Sequence, residues 1–257
     1  MARVTAIINQ KGGVGKTTTA HALSAGLQLR GYKTLVVDCD PQGNLSYTIR
    51  ASMQGGLYEA LAGGNADGLI QRAHGGDIIA SSARLASADK EFNDTGREYL
   101  LDIALGPIAP QYSHIIIDCP PQLGILTINA LVAATDAVIT LTADMYALQG
   151  LAQLAETIGK VRQFCNKQVR IAGLLLCRHS SRSIISRDLS EVIEAKANEL
   201  GTVLYSTVIR EGVSVREAQA QRISLFDHAR TSNPAVDYDQ FINEYLIQEN
   251  LLIKVNP

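Results

Sequence analysis

Five short runs of this chain are apolar at nearly every position, and no other feature restricts its fold as much: Val4–Asn9, Thr34–Asp38, His114–Asp118, Ala137–Leu141 and Val169–Leu176. A strand that alternates apolar and polar residues keeps one face wet, whereas a run that is apolar throughout must be covered on both faces. That is the condition of a parallel sheet with helices on each side. Helical patterns occur where such crossovers need them, at Thr17–Arg30, Gly124–Ala134, Tyr146–Cys165 and Ile184–Leu200. The expected fold is α/β, a doubly wound, mostly parallel sheet with helices on both faces.

The remaining segments carry weaker signals. Three glycine pairs punctuate Asn44–Gly76, which reads as an irregular connection. Ser81–Phe92, Arg97–Leu105, Val213–Ala220 and Ala235–Glu249 read as helices, and Val203–Tyr205 as a short strand. The 257 residues suit one domain, 1–257, without an N-terminal helix-turn-helix. No apolar stretch approaches the roughly 20 residues that span a bilayer, and no cleavable leader precedes the first run, so a cytoplasmic location is expected. The four cysteines are widely spaced and form no C-x-x-C pair, which predicts neither a zinc site nor a disulfide framework.

Between the first run and the first helix lies NQKGGVGKTTTA, Asn9–Ala20. Gly15, Lys16 and Thr17 close the phosphate-binding pattern G-x-x-x-x-G-K-[ST], but Gln10 stands at its first glycine, followed by an additional lysine, Lys11. The strand-to-helix context gives the motif its meaning. Glycines let successive N–H groups turn toward phosphate oxygens at a helix N-terminus, so Gly12, Gly13, Val14, Gly15, Lys16, Thr17 and Thr18 are expected to bind nucleotide. Lys16 should reach the β and γ phosphates, and the Thr17 hydroxyl should ligate Mg²⁺. Two further strand ends carry Asp38, Asp40 and Asp118, placing three carboxylates at the sheet edge where open α/β sheets bind ligands. An apolar run ending in Asp118 is the pattern of a Mg²⁺-holding aspartate.

These residues resemble the deviant Walker A P-loop ATPases of the ParA/MinD group, most closely the Soj-type partition ATPases. The resemblance spans nearly the whole chain through KGGVGKTTTA (Lys11–Ala20), VVDCDPQGNLS (Val36–Ser46), IIIDCPPQLGILTINAL (Ile115–Leu131), MYALQGLAQL (Met145–Leu154) and STVIREGVSVREA (Ser206–Ala218). It implies an ATPase that takes ATP and Mg²⁺ and forms a nucleotide-sandwich homodimer. In that dimer Lys11 reaches the phosphates bound by the other subunit, Asp40 positions or activates the attacking water, and Asp38 joins Asp118 and Thr17 in supporting the metal. Gly12 must stay small for the subunits to close, and turnover is expected to be slow.

The resemblance further implies non-specific binding to double-stranded DNA by the dimer, a nucleoid-associated location and a ParB-like, centromere-binding partner. The net charge is −2, yet Lys160, Arg162, Lys167, Arg170, Arg178, Arg182 and Arg187 follow one another with no acidic residue among them, which predicts a basic face. Arg182 and Arg187 are the first candidates for DNA contact, with Arg178 third. Relatives usually carry Pro-Arg where this chain has Arg210-Glu211, and an arginine where it has Ser214, leaving Arg216 as its substitute. Two alternatives stay open: a MinD-like membrane-positioning ATPase, which needs a basic amphipathic C-terminal helix, and an ATP switch that recruits another cargo.

Overall fold

The computed structural model describes residues 2–73, 76–144, 147–179 and 184–255, and of 184–188 and 249–255 it describes the backbone only. Within it, β1 (Arg3–Ile8), β2 (Thr34–Asp38), β3 (Ile70–Ala73), β4 (Gly76–Ile79), β5 (His114–Asp118), β6 (Asp136–Leu141) and β7 (Arg170–Leu176) form one sheet in the order β3-β4-β2-β5-β1-β6-β7. Every neighbouring pair is parallel except β3 with β4. The helices are α1 (Lys16–Leu29), α2 (Asn44–Thr48), α3 (Leu57–Leu61), α4 (Ala88–Glu91), α5 (Leu100–Leu105), α6 (Ile125–Ala133), α7 (Ala147–Phe164), α8 (Ile184–Glu199), α9 (Val213–Gln221), α10 (Leu225–Ala229) and α11 (Asn233–Val255).

The continuous apolar runs divide their side chains between two cores. Ile7, Val36 and Ile116 face α1, α10 and α11, where Leu23, Leu27, Phe226, Phe241 and Tyr245 pack. Ala6, Ile8, Leu35, Val37, Ile115 and Ile117 face the other side, against α3, α5, α6 and α7. Ile115, Ile116 and Ile117 are wholly buried, and such burial contributes about 1.5–3 kcal/mol per side chain. Gly26 lets α1 approach α11 closely, since a Cβ there would lie 2.2 Å from Ile242 Cδ1. At the end of α1 the Gly31 and Tyr32 amides bond back to Gln28 and Leu27, closing the helix where Gly31 predicts.

Three expectations change, the first being that Ser81–Phe92 is not one helix but a 3-10 turn at Ala83–Ser87 followed by the short α4. Asn44–Gly76 is not merely irregular, because β3 lies within it and β4, which pairs with β2, begins at Gly76. Val203–Tyr205 contributes only a single bridge, Leu174 with Leu204, beyond β7. β1 leads through α1 to β2 on one side while β5 leads through α6 to β6 on the other, so the sheet's switch in winding falls between β1 and β5. Ligands bind at the C-terminal ends of strands at such a point.

At the opposite end of the sheet, Asp136 accepts from Arg3 (2.8 Å) and Arg170 (2.5 Å). His114 is buried beside this cluster, edge-on to Tyr32. Burial, and then the Arg3 charge, push its pKa down to about 4, against the pull of Asp136. The folded state therefore holds His114 neutral while the unfolded chain takes up a proton below about pH 6.5. Stability from this residue is complete above about pH 6.5 and is lost as pH falls toward 4, by up to about 3 kcal/mol. We expect the stability difference between wild type and His114→Gln to shrink across that window. A constant difference would show that His114 does not titrate this way.

Candidate functional site

The end of β1 is pinned before the glycine loop begins. Asn9 Nδ2 donates to the Thr140 carbonyl (2.5 Å) on β6, and its Oδ1 accepts from the Lys11 amide (2.8 Å). The loop then curls through Gly13 (φ 75°) to Gly15 (φ 90°), which caps α1 in the left-handed region. A side chain at Gly15 would be strained there and would bring its Cβ to 3.2 Å from Cys177 Cβ. The loop is thus moulded onto the residue that follows β7.

Around it opens a pocket of about 760 Å³, whose walls include Gly12, Gly13, Gly15, Lys16, Thr17, Thr18 and Asp40. Lys16 is buried, and its Nζ donates to the Lys11 carbonyl (3.0 Å). Burial lowers its pKa, opposed by the nearby Asp118 and Asp40 charges. Val14 is also buried, and its side chain lines a second cavity of about 350 Å³ with Lys11, Leu141 and Gln153.

The carboxylates sit at adjacent strand ends, with Asp38 of β2 in register with Asp118 of β5. Asp38 is wholly buried and its oxygens are engaged: Oδ1 accepts from the Asp40 amide (3.2 Å), and Oδ2 from the Ser46 amide (2.8 Å) and hydroxyl (2.6 Å). Burial raises its pKa to about 6 despite the Ser46 bonds, which pull it down. Asp40 Oδ1 accepts from the Gln42 amide (2.9 Å), and its carbonyl accepts from the Ser81 hydroxyl (2.5 Å).

Asp118 differs from both. It is wholly buried, and neither of its oxygens has a hydrogen-bond donor in bonding geometry among the described residues. Burial, and next the Asp38 charge, raise its pKa well above the carboxylate range, while the Thr17 hydroxyl and the Lys16 ammonium favour its charged form. An unpaired buried carboxylate is costly, and a divalent cation would relieve it. The residues therefore fit Mg²⁺, with Thr17 and Asp118 as the groups that could hold it. Among the described residues no group of three or more His, Cys, Asp or Glu makes a closed cage, which suits a cation that takes most of its ligands from water and phosphate.

Lys11 stands apart from the larger pocket. It is about half exposed, and its Nζ pairs with Asp144 Oδ2 at 2.6 Å. Arg178 and Arg216 both line the larger pocket. Arg182 lies outside the described residues, as does the side chain of Arg187. Within the basic run, Lys160 pairs with Glu156, Arg162 donates to the Val169 carbonyl, and Arg170 binds buried Asp136. Arg210, in the segment that departs from Pro-Arg, is fixed on Asp237 by its backbone and its guanidinium (2.9 and 2.5 Å).

Sequence reasoning missed Ser81, which ties β4 to the site by donating its amide to the Ser46 hydroxyl (2.9 Å). It also missed Asp144 and Glu211 as partners of Lys11 and Arg178. Ser46 closes the quoted VVDCDPQGNLS segment, but nothing marks the others.

A glycine loop bonded into a helix N-terminus, a buried lysine beneath it and a buried aspartate on the neighbouring strand define a P-loop nucleoside triphosphatase site. Comparison with known proteins narrows the class. The family described as "AAA domain" matches residues 2–171. The chain is 37% identical over 236 residues to the chromosome partitioning protein ParA of Myxococcus xanthus, covering 88% of this chain and 82% of that protein. It is 33% identical over 253 residues to the chromosome-partitioning ATPase Soj of Treponema pallidum, covering 97% and 99%. Among solved structures, the cobyrinic acid a,c-diamide synthase of Mycobacterium smegmatis with bound ADP and magnesium superposes with a TM-score of 0.83 at 32% identity, covering 96% of this chain and 94% of that one. The chain belongs to the ParA/Soj family of P-loop ATPases.

Proposed function

We propose that this chain is a DNA-partition ATPase that dimerises around two ATP molecules, binds double-stranded DNA without sequence preference as the dimer, and lets go after slow hydrolysis. The observation that carries the reading is Lys11, whose side chain stands outside its own phosphate pocket and, among the described residues, pairs with Asp144 in a half-exposed contact. Such pairs contribute little, so a phosphate offered by a second subunit competes well for it. In this reading Gly12, Gly13, Val14, Gly15, Thr17 and Thr18 bind the phosphates with their backbone N–H groups and hydroxyls. Lys16 reaches the β and γ phosphates, Asp40 orients the attacking water, and Asp38 supports the metal held by Thr17 and Asp118 while bracing its own loop through the Asp40 and Ser46 amides. Mg²⁺ would supply neutralisation of charge on the phosphate oxygens.

Arg182 and Arg187 are our candidates for DNA contact, with Arg178 and Arg216 closer to the nucleotide. A ParB-like protein is the expected activator, and the assembly is expected in the cytoplasm on the nucleoid. Against membrane positioning, α11 buries Phe241, Ile242 and Tyr245 against the core and commits Glu244 to Ser206 and Thr207. Among the described residues no helix is long and apolar enough to cross a membrane.

The test is binding to random-sequence duplex and to anionic liposomes without nucleotide, with ADP and with ATP plus Mg²⁺, across a salt series. We expect duplex binding only with ATP, and a dimer making several phosphate contacts should lose at least about tenfold in affinity between low and physiological salt. Replacing Arg182 and Arg187 together should remove DNA affinity and spare the dimer. Liposome binding without DNA binding would move the chain to the membrane-positioning class.

A further inference from the structure

Arg178 is one of the few described residues other than glycine with positive φ, at 55°. That conformation is unfavourable for an L side chain, and it persists where the surroundings over-determine it. Here they do. The Cys177 amide bonds to the Leu141 carbonyl (2.7 Å), the His179 amide to Ile209 (2.9 Å), and the Glu211 amide to His179 (3.3 Å). Held on both sides, the turn throws the guanidinium back over the phosphate loop. One nitrogen, Nη1, donates to the Gly13 carbonyl at 3.0 Å, and the other, Nη2, to Glu211 Oε1 at 2.9 Å. Gly13 and Glu211 belong to different walls of the same pocket, the phosphate loop and the segment that leads into α9.

We propose that Arg178, tied to Glu211, is a positioning residue of the nucleotide site, a strap that fixes the phosphate loop against residues 209–212 and slows nucleotide release. The proposal rests on nucleotide occupying this pocket. Two separate N–H groups must serve two acceptors at once, which the planar guanidinium does and a lysine ammonium at the end of its flexible stem does poorly. Both charged partners are about half exposed, so the strap is weak, salt-sensitive and able to open.

The experiment is stopped-flow release of a fluorescent ADP analogue from the full chain with Mg²⁺, at low and high salt. Arg178→Gly and Glu211→Gln should each speed release by about three- to tenfold, as expected for a partly screened pair, and the double variant should be no faster than either. Wild-type release should quicken with salt while that of Arg178→Gly does not. Arg178→Lys should remain faster than wild type.

Glycine suits the left-handed backbone, so the Tm of Arg178→Gly should hold or rise while release quickens. A residue with a merely structural role would move the two together. Wild-type release from Arg178→Gly would overturn the strap, as would faster release in Arg178→Gly with none in Glu211→Gln, or a fall in Tm that parallels faster release. Absence of nucleotide binding by the wild-type chain would instead sink the nucleotide reading, and the strap with it.

Discussion

Lys11→Ala is expected to leave the chain monomeric at saturating ATP and Mg²⁺, and to abolish DNA binding with it. In the free chain the Lys11 ammonium sits 2.6 Å from Asp144, with Lys11 48% and Asp144 30% exposed. An exposed pair of this kind is worth about 0–1 kcal/mol, so leaving Asp144 costs little. What Lys11 gains in the proposed dimer is larger, because a phosphate in a closed interface is shielded from water. Truncating one partner of such a desolvated pair costs about 2–5 kcal/mol, and a two-fold interface repeats the contact. The combined loss, about 4–10 kcal/mol, corresponds to at least a thousandfold in dimer affinity. Sedimentation with ATP would read the dimer directly. Because Lys11 takes no part in the walls of its own pocket, affinity for ATP in the monomer should change little. A Lys11→Ala protein that dimerises and binds DNA normally would remove the basis for the sandwich.

How much of this could be read from the sequence follows from where each residue gets its order. β1, β2 and β5 carry their own signature, since residues such as Val36 and Ile116 have no wet face to betray by alternation. β4 does not. Ile78 and Ile79 are its only large apolar residues, and it is held by pairing with β2 across Leu35–Asp77 and Val37–Ile79, a property of the assembled sheet. The edge strand β3, with its half-buried residues, depends in turn on β4. The same division runs through the site. Lys16, Asp38, Asp40 and Asp118 were legible because each ends or follows a strand whose end the sequence marks. The contacts that bind them were not, because Ser81 reaches Asp40 across 41 residues, Lys11 reaches Asp144 across 133 and Arg178 reaches Gly13 across 165.

The basic run shows the limit of charge counting. From sequence, seven cations without an acid read as one surface. In space, Arg170 is turned inward to Asp136 and Arg178 toward the phosphate loop, because each finds there a carboxylate or carbonyl from a distant segment. Charge patterning fixes how many cations a segment has, while the direction each faces depends on partners the pattern does not contain.

Asp40→Ala should lower ATP hydrolysis by at least about a hundredfold, the lower range for a group that positions or deprotonates a nucleophile, while leaving ATP binding nearly intact. Asp40 is 8% exposed and lines the same pocket as Lys16 and Thr17. Phosphoryl transfer depends more on placement and electrostatics than on proton abstraction, so losing a group that orients water should act on turnover and not on affinity. Slow turnover with retained binding leaves the ATP-bound dimer as the dominant species, and such a population shift should appear as DNA complexes that outlast those of wild type. Asp40 has a structural duty too, since its Oδ1 accepts from the Gln42 amide. Asp40→Asn keeps that acceptor and removes the charge, with one carboxylate oxygen exchanged for an amide NH2. If both variants hydrolyse slowly and hold DNA longer, the charge acts on the reaction. Wild-type turnover in Asp40→Asn would instead confine Asp40 to shaping its loop, and the water would need another orienting group.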